Sequence, residues 1–123
     1  MEKAEIQEEI DRLNREINNL ETSRSLYQNM NTKIDDAITK LTSAKDYANK
    51  SYTALEKYYQ SNTSSKKVTE LESEYKNINN IIKDLKSEIL VASNNKISSI
   101  NSSISSKQSQ IRRLREQMNS MET

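Results

Sequence analysis

No glycine, proline, cysteine, histidine, tryptophan or phenylalanine occurs in the 123 residues of this chain. Each absence removes a class of structure or chemistry. Without Gly there is no residue free to enter tight left-handed turns, and no loop in which backbone N–H groups close around a phosphate. Without Cys there is no disulfide, and the sequence carries no mark of a redox compartment. A metal site would need oxygen ligands alone, and no Asp/Glu series has EF-hand spacing. Nucleophile–base pairs built on His or Cys are excluded in the same way. No window approaches the ~18 apolar residues of a membrane span. The N-terminal stretch MEKAEIQEEIDRLNREI is acidic and amphipathic, without the apolar segment of a secretory signal. These absences predict a protein that is not an enzyme, holds no cofactor and does not insert into a membrane.

What is present is charge (30%) and a modest apolar share (33%), a balance that gives disorder unless the apolar residues fall into a seam. They do. Steps of seven from Ile6 reach Leu13, Leu20, Tyr27, Ile34, Leu41, Ala48 and Leu55, all apolar. The companion series Ile10, Ile17, Arg24, Asn31, Ile38, Lys45, Tyr52 and Tyr59 is apolar except at three central positions. This is a heptad pattern, and it predicts one helix over about residues 3–60, roughly 85 Å long at 1.5 Å per residue. A flanking series, Met30, Ala37, Ala44, Ser51 and Tyr58, widens the apolar face.

The pattern stops at Gln60-Ser61-Asn62-Thr63-Ser64-Ser65, where side chains compete for backbone hydrogen bonds. A turn is expected near residues 60–66, with Asn62 as its left-handed residue and Ser64, Ser65 or Thr69 as the next N-cap. The second helix, about 66–120, has a seam of Val68, Leu71, Tyr75, Ile78, Ile82, Leu85, Ile89 and Ala92. It resumes at Ile97, Ile100, Ile104, Ile111, Leu114, Met118 and Met121. The step of eight from Ile89 to Ile97 slips the phase by one residue, which predicts a kink near 93–96. Residues 98–109 are rich in Ser and Asn, poor helix formers that packing must hold.

Folding back about residue 63 would set Leu55 against Leu71, Ala48 against Ile78, Leu41 against Leu85 and Ile34 against Ala92. The same register brings an acidic N-terminal end (Glu2, Glu5, Glu8, Glu9, Asp11, Glu16 and Glu21 against Lys3, Arg12 and Arg15) beside a basic C-terminal end. That end carries Lys96, Lys107, Arg112, Arg113 and Arg115 against Glu116 and Glu122. Hydrophobic pattern and charge therefore agree on an all-α fold: a long antiparallel two-helix hairpin, coiled-coil-like, forming one domain over 1–123.

A single narrow seam buries few side chains fully, while ordering each residue costs about 1–2 kcal/mol. A further helical layer is expected, supplied by another helical chain or by a homodimer forming a four-helix bundle. The apolar residues off the seam, Leu26, Met30, Tyr47, Tyr58, Ile81 and Leu90, are the partner-facing candidates. Of the tyrosines near the turn, Tyr52, Tyr59 and Tyr75 have core phase. The acid groups Glu8-Glu9, Asp35-Asp36 and Glu70, Glu72, Glu74 read as solvated faces or dipole partners. Arg112, Arg113 and Arg115 are expected to pair with the N-terminal acids. With a net charge of +1, no nucleic-acid partner is expected.

Three stretches, IxxEIxxLxxxIxxL from Ile6 to Leu20, IxxLxxAKxYxxxxYxxLxxY from Ile38 to Tyr59, and IxSxIxxKxxxIxxL from Ile100 to Leu114, resemble those of a known family. The chain is similar to the small YwqH-like helical proteins encoded beside LXG-domain toxins of the type VII (Esx) secretion system in Gram-positive bacteria. That resemblance implies an adaptor or targeting chaperone in the cytoplasm. It would bind the helical N-terminal region of a larger LXG-type effector, with a second small helical accessory protein as a further partner. Tyr52 and Glu56 match the YxxxD/E form of a type VII export signal, which implies co-secretion as an option. The chain lacks the Trp-x-Gly turn of Esx proteins and lies at the divergent edge of that hairpin group. The alternative is a self-associating structural coiled coil.

Overall fold

A computed structural model describes residues 2–58 and 65–121, with the backbone alone at residues 58, 65–68 and 71. All but Glu2 of the described residues are helical. Helix α1 runs from Lys3 to Tyr58, α2 from Ser65 to Asp84 and α3 from Leu90 to Met121. A five-residue π-helical turn, Leu85–Ile89, joins α2 to α3 without a break. The Ile6 N–H donates to the Glu2 carbonyl at 3.0 Å, closing the first turn of α1. Thr22, Thr39, Thr53, Ser87 and Ser120 each turn the hydroxyl back onto the carbonyl four residues earlier. In this way residues that favour caps and turns are held inside a helix. Helix α2 already runs at Ser65, so Thr69 lies in its interior and is not an N-cap. The expected turn residue Asn62 and the core tyrosine Tyr59 lie outside the described residues.

The chain divides into two compact units, Met1–Met30 with Ser93–Thr123, and Asn31–Ala92. In the first, Ile6, Ile10, Leu13 and Ile17 of α1 are buried with Ile100, Ile104 and Ile111 of α3. Leu20, Tyr27, Leu114 and Met118 pack against them. The two segments are antiparallel: Glu16 meets Lys107 and Arg24 meets Asn101. Facing positions therefore sum to about 124, against the 126 read from the turn. Packing holds the Ser-rich stretch as expected, because Ile100 and Ile104 are among the most buried residues of α3.

In the second unit the cover is thinner. Among the described residues only Ile38 and Ile82 are buried there; Ile34, Leu41, Ala48, Tyr52, Leu55, Tyr75, Ile78 and Leu85 remain half-buried. All of them keep the seam phase expected from the heptads.

The phase slip is real, and its place differs from the expected 93–96. It is absorbed in the π turn, where the Leu90 N–H donates to the Leu85 carbonyl, five residues back. One residue is thereby inserted. Seam positions then run Ile82, Leu85, Leu90, Ser93, Ile97, Ile100, Ile104, Lys107, Ile111, Leu114 and Met118, with steps of three and four restored after the single step of five. Four expected placements are corrected. Leu90 is half-buried in the seam, whereas Ile89 is 44% exposed and Ala92 is exposed, so Ala92 is not the seam partner of Ile34. Met121, placed at the end of the seam, is also exposed.

Candidate partner-binding surface

An antiparallel helix pair has two flanks beside its seam, and here they differ in chemistry. On α1 one flank carries Gln7, Asn14, Glu21, Gln28, Asp35, Thr42, Asn49 and Glu56, without one apolar residue. Helices α2 and α3 are mainly polar there too, with the exposed Val91 as an apolar exception. In the first unit this flank forms an open groove where Asn14, Asn18 and Glu21 meet Gln108, Arg112 and Arg115. In the second, Thr42 and Lys45 meet Asn79, Lys83, Lys86 and Ser87. Polar and charged side chains predominate in both grooves, around Ile17 and Ile111 in the first and Ile82 in the second.

The opposite flank carries most of the exposed apolar side chains. In the first unit Ser23, Leu26, Tyr27 and Met30 line a shallow groove of about 270 Å³. Leu26 is 65% exposed and Met30 38%. In the second unit the small residues Ala37, Ala44 and Ser51 of α1 share a flank with Ile81, 49% exposed, and Ile89. Tyr47, 75% exposed, stands at its outer edge. Four of the six partner-facing candidates are thus exposed: Leu26, Met30, Tyr47 and Ile81. Leu90 is drawn into the seam by the π turn, and the side chain of Tyr58 lies outside the described residues. Sequence reasoning missed Ile89, because Ile89-Leu90 offers two adjacent apolar residues and periodicity does not say which one the inserted turn takes inward.

Two polar seam residues of the first unit, Lys107 and Arg24, are partnered across the helices. Lys107 donates to Glu16 Oε2 at 2.8 Å, and Arg24 Nη1 donates to Asn101 Oδ1 at 2.9 Å. Arg12 bridges Glu9 and Glu16 on the surface of α1. The Lys107 hydrogen bond, joined by the Arg12 charge, holds the Glu16 carboxyl below the usual range against the opposing effect of desolvation. The Arg12 hydrogen bond does the same for Glu9. Ser93 is buried with its hydroxyl unpartnered among the described residues, a small side chain accepted in the seam for its size.

Arg112, Arg113 and Arg115 make no ion pair among the described residues, contrary to the expected pairing with the N-terminal acids. Glu9 and Glu16 lie on the other flank and are held by Arg12 and Lys107, while Arg112 and Arg115 share the polar groove with Glu21 and Glu116 without forming an ion pair among the described residues. Of the acid groups, Glu72 bonds Lys76 at 3.1 Å within α2. Among the described residues no cluster of three or more acids is placed to hold a metal ion. No described helix is long and apolar enough to cross a membrane.

Tyr52 and Glu56 sit inside α1, with Tyr52 half-buried in the seam. Glu56 and then Glu72, with burial, raise the pKa of the Tyr52 hydroxyl, and Lys76 opposes them. The tyrosine is part of the packed seam of its unit. Comparison with known families, curated proteins and solved structures gave no match.

Proposed function

We infer that the protein is a helical adaptor, a targeting chaperone that binds the helical N-terminal region of a secreted LXG-type effector for type VII secretion. The observation that carries this reading is the one-sided exposure of apolar side chains. Leu26 and Met30 stand out of the best-packed unit on the flank opposite an unbroken row of polar residues. An amphipathic helix laid along that flank would cover Leu26, Met30 and the half-buried Tyr27, with anchors spaced as one helix face presents them. The effector and its secretion route enter through the resemblance of the three quoted stretches. The grooves are open and lined by side chains without nucleophile or base in array, which suits a protein partner better than a substrate.

A polyanion partner has weaker support. Although the three arginines make no ion pair among the described residues, the unit that holds them has as many acidic as basic residues, and Glu21 and Glu116 line the same groove. The test is co-purification of the chain with the helical N-terminal region of an LXG-type effector. A complex is expected, and Leu26→Glu with Met30→Glu should abolish it while leaving helicity unchanged. Failure of the wild-type chain to form a complex, or a complex indifferent to both substitutions, would overturn the reading.

A further inference from the structure

We propose that the Asn31–Ala92 unit self-associates, a second copy docking on the flank of Ala37, Ala44, Ser51, Ile81 and Ile89 to give a four-helix layer. Three observations converge on a second copy as the occupant. The unit is under-covered: Ile38 and Ile82 alone are buried among its described residues, and the rest of its apolar seam is half open. The flank is also complementary to itself in size, with small residues on α1 (Ala37, Ala44, Ser51) and large ones on the other helix (Ile81, Ile89). A two-fold axis running along the helices sets the α1 of each copy on the α2 side of the other. Each isoleucine then falls on the alanine lane of its partner.

The third observation is charge. Lys40 rims this flank on α1 and Asp84 rims it on α2; both are exposed, and neither makes an ion pair within the chain among the described residues. The antiparallel register puts them level. Under the same two-fold, Lys40 of each copy meets Asp84 of the other, twice per dimer. An axis across the helices would stack α1 on α1 and set lysine near lysine, so the charges select the first arrangement. Tyr47, on the same rim, gains cover there. This inference is independent of the adaptor reading, which rests on Leu26 and Met30 of the other unit.

Light scattering on the isolated chain at micromolar concentration tests it. The expected mass is twice 14.2 kDa. Ala44→Glu should return the mass of a single chain, with Ile81→Ser as a second variant and far-UV circular dichroism to show that both stay helical. Lys40→Asp and Asp84→Lys should each raise the dimer Kd roughly tenfold, because symmetry makes two contacts repulsive at once. The double variant should restore it. A wild-type monomer, or a dimer indifferent to Ala44, Ile81 and the charge reversals, overturns the proposal while leaving the effector test untouched.

Discussion

Lys107 occupies a seam position where an apolar residue would bury more surface, and its partner Glu16 gives that choice a pH dependence. The folded-state pKa of Glu16 is lowered, so the stability it contributes is present above the ordinary glutamate range near 4.5 and is lost as pH falls through the lowered value. Thermal melts between pH 7 and pH 3 should show the wild type losing more stability than Glu16→Gln; an equal loss would separate the ion pair from the acid response. The apolar seam answers to a different test. Leu13 is almost wholly buried, and Leu13→Ala should cost about 2–5 kcal/mol in urea unfolding, whereas Leu26→Ala should change it by less than about 0.5 kcal/mol. The inward residues of α1 were legible because their spacing never breaks. The polar partners were not, since heptad phase places Lys107 and Arg24 in the seam without saying that Glu16 and Asn101 would meet them.

At the scale of the element, the π turn is the one irregularity within the described helices, and it has a testable reason. One surplus residue separates two stretches of correct phase, and Leu85–Ile89 absorbs it. Deleting Glu88 should therefore be tolerated, giving an uninterrupted α-helix with the seam in step. Deleting Asn19 from α1, where there is no surplus, should throw Ile10 and Ile6 out of phase with the rest and lower the urea midpoint far more. Equal effects would show that the turn has another origin. The surplus could be counted in the sequence, but its position could not, because Ile89, Leu90, Val91 and Ala92 offer a run of apolar side chains from which packing alone chooses. The antiparallel pairing of the second unit is tested by Ala48→Cys with Ile78→Cys. A short thiol cross-linker should join them within one chain, and cross-links only between chains would contradict the pairing.

For the whole molecule, the all-α class and the long helices follow from the absence of Gly and Pro together with the heptad pattern, unbroken in the series from Ile6 to Leu55. The uneven cover of the two units follows from composition. Where α1 offers Ile6, Ile10, Leu13 and Ile17, three isoleucines of α3 bury with them; where the seam holds Asn31, Lys45 and Ala48, less surface is removed from water. The exposed apolar flank was legible only in outline, through the Met30, Ala37, Ala44 and Ser51 series. Its counterpart at Ile81 and Ile89 depends on the π turn. Each unit has a mainly polar flank and one with exposed apolar side chains, and the adaptor reading assigns the flank bearing Leu26 and Met30 to an effector. The direct measurement is light scattering on this chain co-expressed with the helical N-terminal region of an LXG-type effector. A single species whose mass contains both chains is the result expected, and two species eluting separately, each with its own mass, would contradict the account.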